Sequence, residues 1–264
     1  MRILVSNDDG IDAIGLKTLV RVLGREHEVY VSAPDRQRSA ASHSATFFLQ
    51  DLYAEPRRLE GAVLAYAVSG TPADCVYAGI HGLFEEPADL VVSGINRGWN
   101  VSTDCHYSGT VAAAFEGLMN GIPAIAVSLA SFEGEDYEAA AEVTALLAET
   151  VLKHPASIDH IWNVNVPALP FDELKGIRET GFDSRGMYDH MTAKTELPDG
   201  RLRLHFDSPP ALSRPHDNLS GDITAVENGY VSVTLLKRDW TGYELMAEAG
   251  EALQGILEKK QNNP

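Results

Sequence analysis

The chain has 264 residues and two cysteines, Cys75 and Cys105. Two are too few for a disulfide framework, and their spacing is not that of a metal motif. A reducing, cytoplasmic compartment is therefore expected. No apolar run approaches the roughly 18 residues that a membrane span needs. The chain opens directly on a strand pattern, so no signal peptide is expected either. Basic residues are in short supply, 21 Lys and Arg against 38 Asp and Glu, for a formal net charge of −17. That balance argues against a broad basic face for duplex nucleic acid. Small anionic substrates stay open, because a bound metal reverses the sign of a pocket. The nine histidines are scattered. The chain lacks a His-Glu-x-x-His zinc pair, a Gly-x-Ser-x-Gly nucleophile elbow and a P-loop Gly-Lys-Ser/Thr. It also lacks internal repeats, low-complexity tracts and an evident linker.

What is present is an ordinary globular composition, 44% hydrophobic and 22% charged, long enough to bury a substantial core. The first stretch sets the pattern. Ile3-Leu4-Val5 is an apolar run that stops at Ser6-Asn7-Asp8-Asp9-Gly10, and a helical pattern starts near Ile14. Further strands are predicted at residues 28–34, 46–49, 62–68, 89–93, 122–129 and 161–166. Helices are predicted at residues 72–83, 111–119 and 137–152, with Pro72 suited to a first helical turn. This alternation predicts an α/β fold with a doubly wound, mostly parallel sheet. Residues 1–170 form its core. Residues 171–264 read as an extension of the same single unit, with a weak strand at 202–206, a clear strand at 231–236 and a helix over 244–257. The 170–220 stretch predicts either hairpins that contact a partner subunit or a surface lobe.

In open α/β sheets ligands bind at the carboxyl ends of the strands. Asp8 and Asp9 lie at such an end. They are read either as a cap plus a turn residue or as hard oxygen ligands for Mg²⁺, Mn²⁺ or Ca²⁺. Asn96 follows the 89–93 strand within a Gly- and Asn-rich loop and offers a further carbonyl oxygen. Ser108, Gly109 and Thr110 open a helix of small residues, which fits either a phosphate site or an ordinary Ser cap. Ser39 sits in a polar loop with Arg36 and Arg38. Ser69 to Asp74 reads as a structural cap. Acids, an amide, hydroxyls and a phosphate-ready helix start thus gather at one sheet edge. Together they suit a metal that polarises a phosphoryl group and activates water.

These residues resemble the SurE family of metal-dependent nucleotidases. The resemblance is carried by Asn7-Asp8-Asp9-Gly10, Ala33-Pro34-Asp35 through Ser39, Gly70-Thr71-Pro72-Ala73-Asp74-Cys75-Val76 and Ser93-Gly94-Ile95-Asn96-Arg97-Gly98. Tyr107-Ser108-Gly109-Thr110-Val111 with Glu116-Gly117, Asn163-Val164-Asn165-Val166-Pro167 and Gly229 to Thr234 complete the set. It implies a Rossmann-like core and a C-terminal extension used in oligomerisation, as a homodimer or homotetramer. It implies a divalent metal, Mg²⁺ or Mn²⁺, held by Asp8, Asp9, Ser39 and Asn96, and phosphate binding at Ser108, Gly109 and Thr110. It implies hydrolysis of nucleoside 5′- and 3′-monophosphates, with polyphosphate as a further substrate. Departures from the family pattern are Ala40 and Ser102 in place of frequent glycines, His106 in place of an aliphatic residue, and Leu235 in place of a common proline. Ala40 and Ser102 bear on loop geometry, whereas His106 reads as a loop or interface histidine.

In the expected mechanism Asp8 and Asp9 are the catalytic carboxylates, with Asp9 orienting or deprotonating the attacking water. One rival is a nucleotide-binding regulator without turnover. Another is a phosphatase with an aspartyl nucleophile, but its Asp-x-Asp spacing is absent.

Overall fold

The computed structural model describes residues 1–133, 136–183, 190–207 and 220–253. In chain order the elements are β1 (Arg2–Ser6), α1 (Ile14–Leu23), β2 (Glu28–Pro34), β3 (Ala54–Arg57), β4 (Ala62–Val68), α2 (Pro72–Ala78) and β5 (Leu90–Arg97). They continue with α3 (Gly109–Met119), β6 (Ala124–Ala130), α4 (Glu138–Lys153), β7 (His160–Pro167), β8 (Ile177–Thr180) and β9 (His190–Glu196). The last are β10 (Leu202–Asp207), α5 (Asp222–Glu227), β11 (Val231–Lys237) and α6 (Met246–Leu253). Nine strands form one sheet in the order β3-β4-β2-β1-β5-β6-β7-β11-β8, and β9 and β10 form a separate two-stranded sheet. The run from β4 to β7 is parallel, while β3 and β11 pair antiparallel with their inner neighbours.

Side chains alternate across a strand, so a strand buried on both faces serves two cores. In β1, Ile3 and Val5 join Leu16, Leu19, Val92 and Leu147 under α1 and α4. Leu4 points the other way, to Val76, Val91, Val111, Leu118 and Ile161 under α2 and α3. The helices thus lie on both faces, and β1 and β5 sit side by side at the centre. Loops from β1, β2, β5 and α3 meet at one sheet edge.

The structure corrects several element predictions. Residues 46–49 form a turn, closed by Leu49 N to the Thr46 carbonyl at 2.8 Å. The cause is Asp74, whose carboxylate accepts from Thr46 N (2.7 Å), Thr46 Oγ1 (2.6 Å) and Phe47 N (3.2 Å) and so pulls this stretch onto the start of α2. β5 does not stop at residue 93 but runs on to Arg97, so Asn96 is a strand residue rather than a loop residue. Gly94 makes the continuation possible, because at φ +144° a Cβ there would lie 2.3 Å from the Val127 carbonyl oxygen. α2 ends at Ala78 and widens into a π turn over Gly79–Leu83. The predicted helix over 244–257 is a 3₁₀ turn (Tyr243–Leu245) followed by α6, and residues 254–257 fall outside the described residues.

Four elements lacked a clear sequence signal. β3 is an exposed edge strand containing Pro56, with no apolar alternation. β8 has only Thr180 buried. α5 is six residues long, and β9 is a polar partner of β10. β8 and β11, from the second part of the chain, lengthen the main sheet rather than standing apart from it.

Candidate active site

β1 delivers its polar end into a closed turn. Asn7 Nδ2 donates to the Gly10 carbonyl (2.9 Å), and Gly10 N donates to Asn7 Oδ1 (3.1 Å). Gly10 has φ +96°, and a Cβ there would sit 3.0 Å from the Arg36 backbone, so only glycine brings the first turn this close to the loop after β2. Arg38 N completes the junction by donating to the Asp8 carbonyl at 2.7 Å. The bend presents Asp8 and Asp9 side by side.

Each carboxylate is tied to a different element. Asp8 is buried, and its Oδ1 accepts from Thr110 Oγ1 at 2.7 Å. The backbone N–H of Thr110 also faces it. Asp9 Oδ2 accepts from Arg97 N at 3.0 Å, which joins it to the end of β5. Gln37 Nε2 bridges Asp9 Oδ1 (3.4 Å) and Ser39 Oγ (2.9 Å). Asn96 donates through Nδ2 to the Gly98 carbonyl at 2.8 Å, which turns its Oδ1 away from that carbonyl. The ends of β1, β2 and β5 and the start of α3 are therefore linked by hydrogen bonds at one edge.

The electrostatics of the pair are unfavourable as they stand. Burial pushes Asp8 up to about 6 against the pull of the Thr110 hydroxyl, and the charge of Asp9 adds to the rise. Burial also raises Asp9, although the Arg97 amide, the Arg97 charge and Gln37 oppose it. Arg97 does not neutralise the site fully, since its Nε is donated to the Phe132 carbonyl at 2.8 Å. A buried and a half-buried carboxylate side by side, both shifted toward the neutral form, fit a divalent cation, which would favour their charged forms. Among the described residues no three His, Cys, Asp or Glu side chains gather as a metal cluster. A cation at this edge would thus draw on two carboxylates and on neutral oxygens such as those of Ser39 and Asn96.

The start of α3 carries the Ser cap that the sequence offered as one of its two readings. Ser108 is the N-cap, and its Oγ accepts from Val111 N at 3.1 Å. The Thr110 hydroxyl is spent on Asp8. The Thr110 hydroxyl is thus occupied, whereas Ser108 Oγ accepts and keeps its O–H, so this end offers an anion that hydroxyl, the Gly109 amide and the helix dipole. Gly109 has a steric role, because a Cβ there would lie 2.8 Å from Asp8 Cβ and 3.1 Å from Asp8 Oδ2.

The expected cap at residues 69–74 is present. Thr71 and Asp74 form a reciprocal capping box at the start of α2. Burial pushes Asp74 up, but hydrogen bonds from Thr46, Thr71 and Phe47 outweigh it and hold the carboxyl below its ordinary value. Arg38 donates Nη2 to the Ser69 carbonyl (2.9 Å), and Arg36 lies 3.7 Å from Asp35. Sequence reasoning missed Gln37 as the bridge between Asp9 and Ser39. It also missed Asn163 and Asn165, whose Nδ2 atoms donate to the Asn100 carbonyl at 2.8 and 2.9 Å and hold the loop after β5. Two asparagines at alternate positions of an otherwise apolar strand were the available signal.

A sequence model of the family described as Survival protein SurE matches residues 3–189. The 5′-nucleotidase SurE of Synechococcus elongatus is 42% identical over 94% of this chain and 98% of its own length. The 5′/3′-nucleotidase SurE of Proteus mirabilis is 43% identical over 99% of this chain and 98% of its own. The crystal structure of the SurE protein from Aquifex aeolicus superposes with a TM-score of 0.83 at 36% identity, covering 96% of this chain and 99% of that one. The chain belongs to the SurE family.

Proposed function

We propose that the protein is a divalent-metal-dependent phosphomonoesterase that hydrolyses nucleoside 5′- and 3′-monophosphates to nucleoside and phosphate, with polyphosphate as a further substrate. The names of its relatives support the nucleotide substrate. The observation that carries the chemistry is the Asp8–Asp9 pair, Asp8 buried and Asp9 half-buried, seated against the start of α3 and joined by hydrogen bonds to the Ser39 loop and to β5 beside Asn96.

In this reading Asp8, Asp9, Ser39 and Asn96 hold Mg²⁺ or Mn²⁺. A cation bound there would polarise a phosphoryl oxygen and lower the pKa of a water. The protein supplies the rest. Thr110 and Gly109 keep Asp8 in one position, so its charge is fixed where the cation is needed. Asp9, held by Arg97 N and Gln37, orients the attacking water and accepts its proton. The Gly109 amide, the Ser108 hydroxyl and the dipole of α3 face the phosphoryl oxygens, where negative charge grows. Residues 1–170 carry this chemistry, and residues 171–264 provide an assembly surface for a homodimer or homotetramer. Tyr243, Leu245, Met246 and Leu253, all at least half exposed, support that assignment. The two cysteines are free and buried, which supports a cytoplasmic setting. Among the described residues no helix is long and apolar enough to cross a membrane.

Phosphate release from adenosine 5′-monophosphate tests the reading. EDTA is expected to abolish it and Mn²⁺ or Mg²⁺ to restore it. Asp9→Asn is expected to lower kcat by about 10²–10⁴-fold. Near-normal turnover of that variant at saturating metal would remove Asp9 from the role. Nucleotide binding without phosphate release under any metal would leave the regulator as the correct reading.

A further inference from the structure

We propose that the cavity beside α3 is the nucleobase subsite of the enzyme, with His106, Phe182 and Trp240 as its aromatic wall. This rests on the nucleotidase reading above. The cavity has a volume of about 670 Å³ and runs between α3 and the segment that follows β11, a size suited to a small organic ligand. Its floor is apolar, with Phe115 from α3 and Leu236 from β11.

The cavity adjoins the phosphate end of the site, with Ser108 in common. Ser108, the N-cap of α3, belongs both to the phosphate turn and to the cavity lining. Ser42 also lines it and ties its wall to the Ser39 loop, because Ser42 N donates to the Tyr107 carbonyl (3.0 Å) and Ser42 Oγ to the His106 carbonyl (2.7 Å). A phosphomonoester seated at the start of α3 would therefore have this cavity next to it.

The wall is suited to a planar ring. His106 meets Trp240 edge to face at 5.3 Å between ring centroids and Phe182 at 6.3 Å. Trp240 is 74% exposed and Phe182 42% exposed, so much of their ring surface is left uncovered. The one polar atom of the indole, Nε1, is donated to the Lys237 carbonyl at 3.0 Å. That bond fixes the ring and leaves its faces for stacking, an interaction every nucleobase can make. The Thr180 and Thr234 hydroxyls in the cavity are bonded to each other at 2.8 Å, so they hold the wall rather than demand a polar ligand. His106 thereby acquires a function in this chain as the ring that sets the angle between the other two.

The test compares adenosine 5′-monophosphate with ribose 5-phosphate, the same phosphomonoester without a base. The wild-type ratio of kcat/KM for the two substrates is expected to lie well above one. Trp240→Ala and His106→Ala are each expected to lower that ratio about tenfold, through KM for the nucleotide. Ribose 5-phosphate turnover serves as the internal check that the variants fold. An unchanged ratio in both variants would overturn the proposal, as would a wild-type ratio near one. A direct readout uses adenosine in EDTA, which is expected to quench tryptophan fluorescence in the wild type but not in Trp240→Phe. Quenching that survives in Trp240→Phe would also overturn it. A fall in particle mass by light scattering, with base discrimination intact, would assign the cavity to a second copy of the chain instead. Failure of the wild-type protein to release phosphate from any nucleoside monophosphate would sink the nucleotidase reading, while the adenosine quench would still test the cavity.

Discussion

Gly109 shows how closely single residues set the site. Its missing side chain is the space that Asp8 occupies, since an added Cβ would meet Asp8 Cβ at 2.8 Å. Gly109→Ala is expected to displace Asp8 and to lower both metal affinity, read by calorimetric titration, and kcat, by about 10²-fold. Asp8 itself opposes stability in the metal-free protein. Its folded pKa is raised to about 6 by burial, above the unfolded value, so the unfolded state releases its proton first as pH rises. Metal-free stability should therefore fall between about pH 4 and pH 6, by on the order of 3 kcal/mol from this group. Urea unfolding in EDTA at pH 4.5 and pH 7 measures it, and Asp8→Asn should flatten the difference while raising stability at pH 7. Ala40 is a third case. Its φ of +56° lies in the left-handed region, so Ala40→Gly is expected to raise stability by about 1 kcal/mol, seen as a higher Tm. The sequence marked Asp8, Asp9 and Ala40 as positions of interest. It could not mark Gly109 as a space-maker, because that depends on what lies opposite.

At the scale of elements, two polar networks hold the site loops against the sheet. Asn165 Oδ1 accepts from Asn100 N at 2.7 Å, and Asn100 Nδ2 donates to Ser128 Oγ at 2.8 Å, which pins the segment after β5 onto β6 and β7. Asp222, at the start of α5, accepts from Ser102 N (2.6 Å), Asp183 N (2.9 Å) and Ile223 N (2.8 Å). Burial raises its pKa despite those donors. Through Asp222 the second part of the chain grips the loop that leads into α3. Asp222→Ala would strand three buried amides and is expected to cost about 3 kcal/mol in urea unfolding, with a rise in KM as the α3 start loosens. The strands and helices around these networks were legible because buried parallel strands are continuous apolar runs. α5 and β8 were not legible, since short elements gain their order from partners such as Ser102 and β11 rather than from their own pattern.

For the whole molecule, net charge and exposed apolar surface each bear on what it binds. A chain of net charge −17 repels a phosphate at long range, so a cation at the acidic edge is what makes an anionic substrate acceptable. Exposed apolar side chains occur along the whole chain, and one group lies in its last part, where Leu245 and Met246 are 59% and 56% exposed. Leu245→Glu combined with Met246→Glu is expected to reduce the particle mass in light scattering by at least half. Unchanged mass would remove this face from the proposed assembly.

The sequence by itself determined the parallel sheet, the strand end at which Asp8 and Asp9 fall, and the helix that begins at Ser108. Each follows from local patterns of apolar residues, turn residues and caps. Tertiary structure decided which of those groups meet. Thr46 joined Asp74 rather than a strand, Thr110 turned its hydroxyl to Asp8, and Gln37 brought Ser39 to Asp9. Those are choices among hydrogen-bond partners distant in sequence. They are made by packing, which no local pattern encodes.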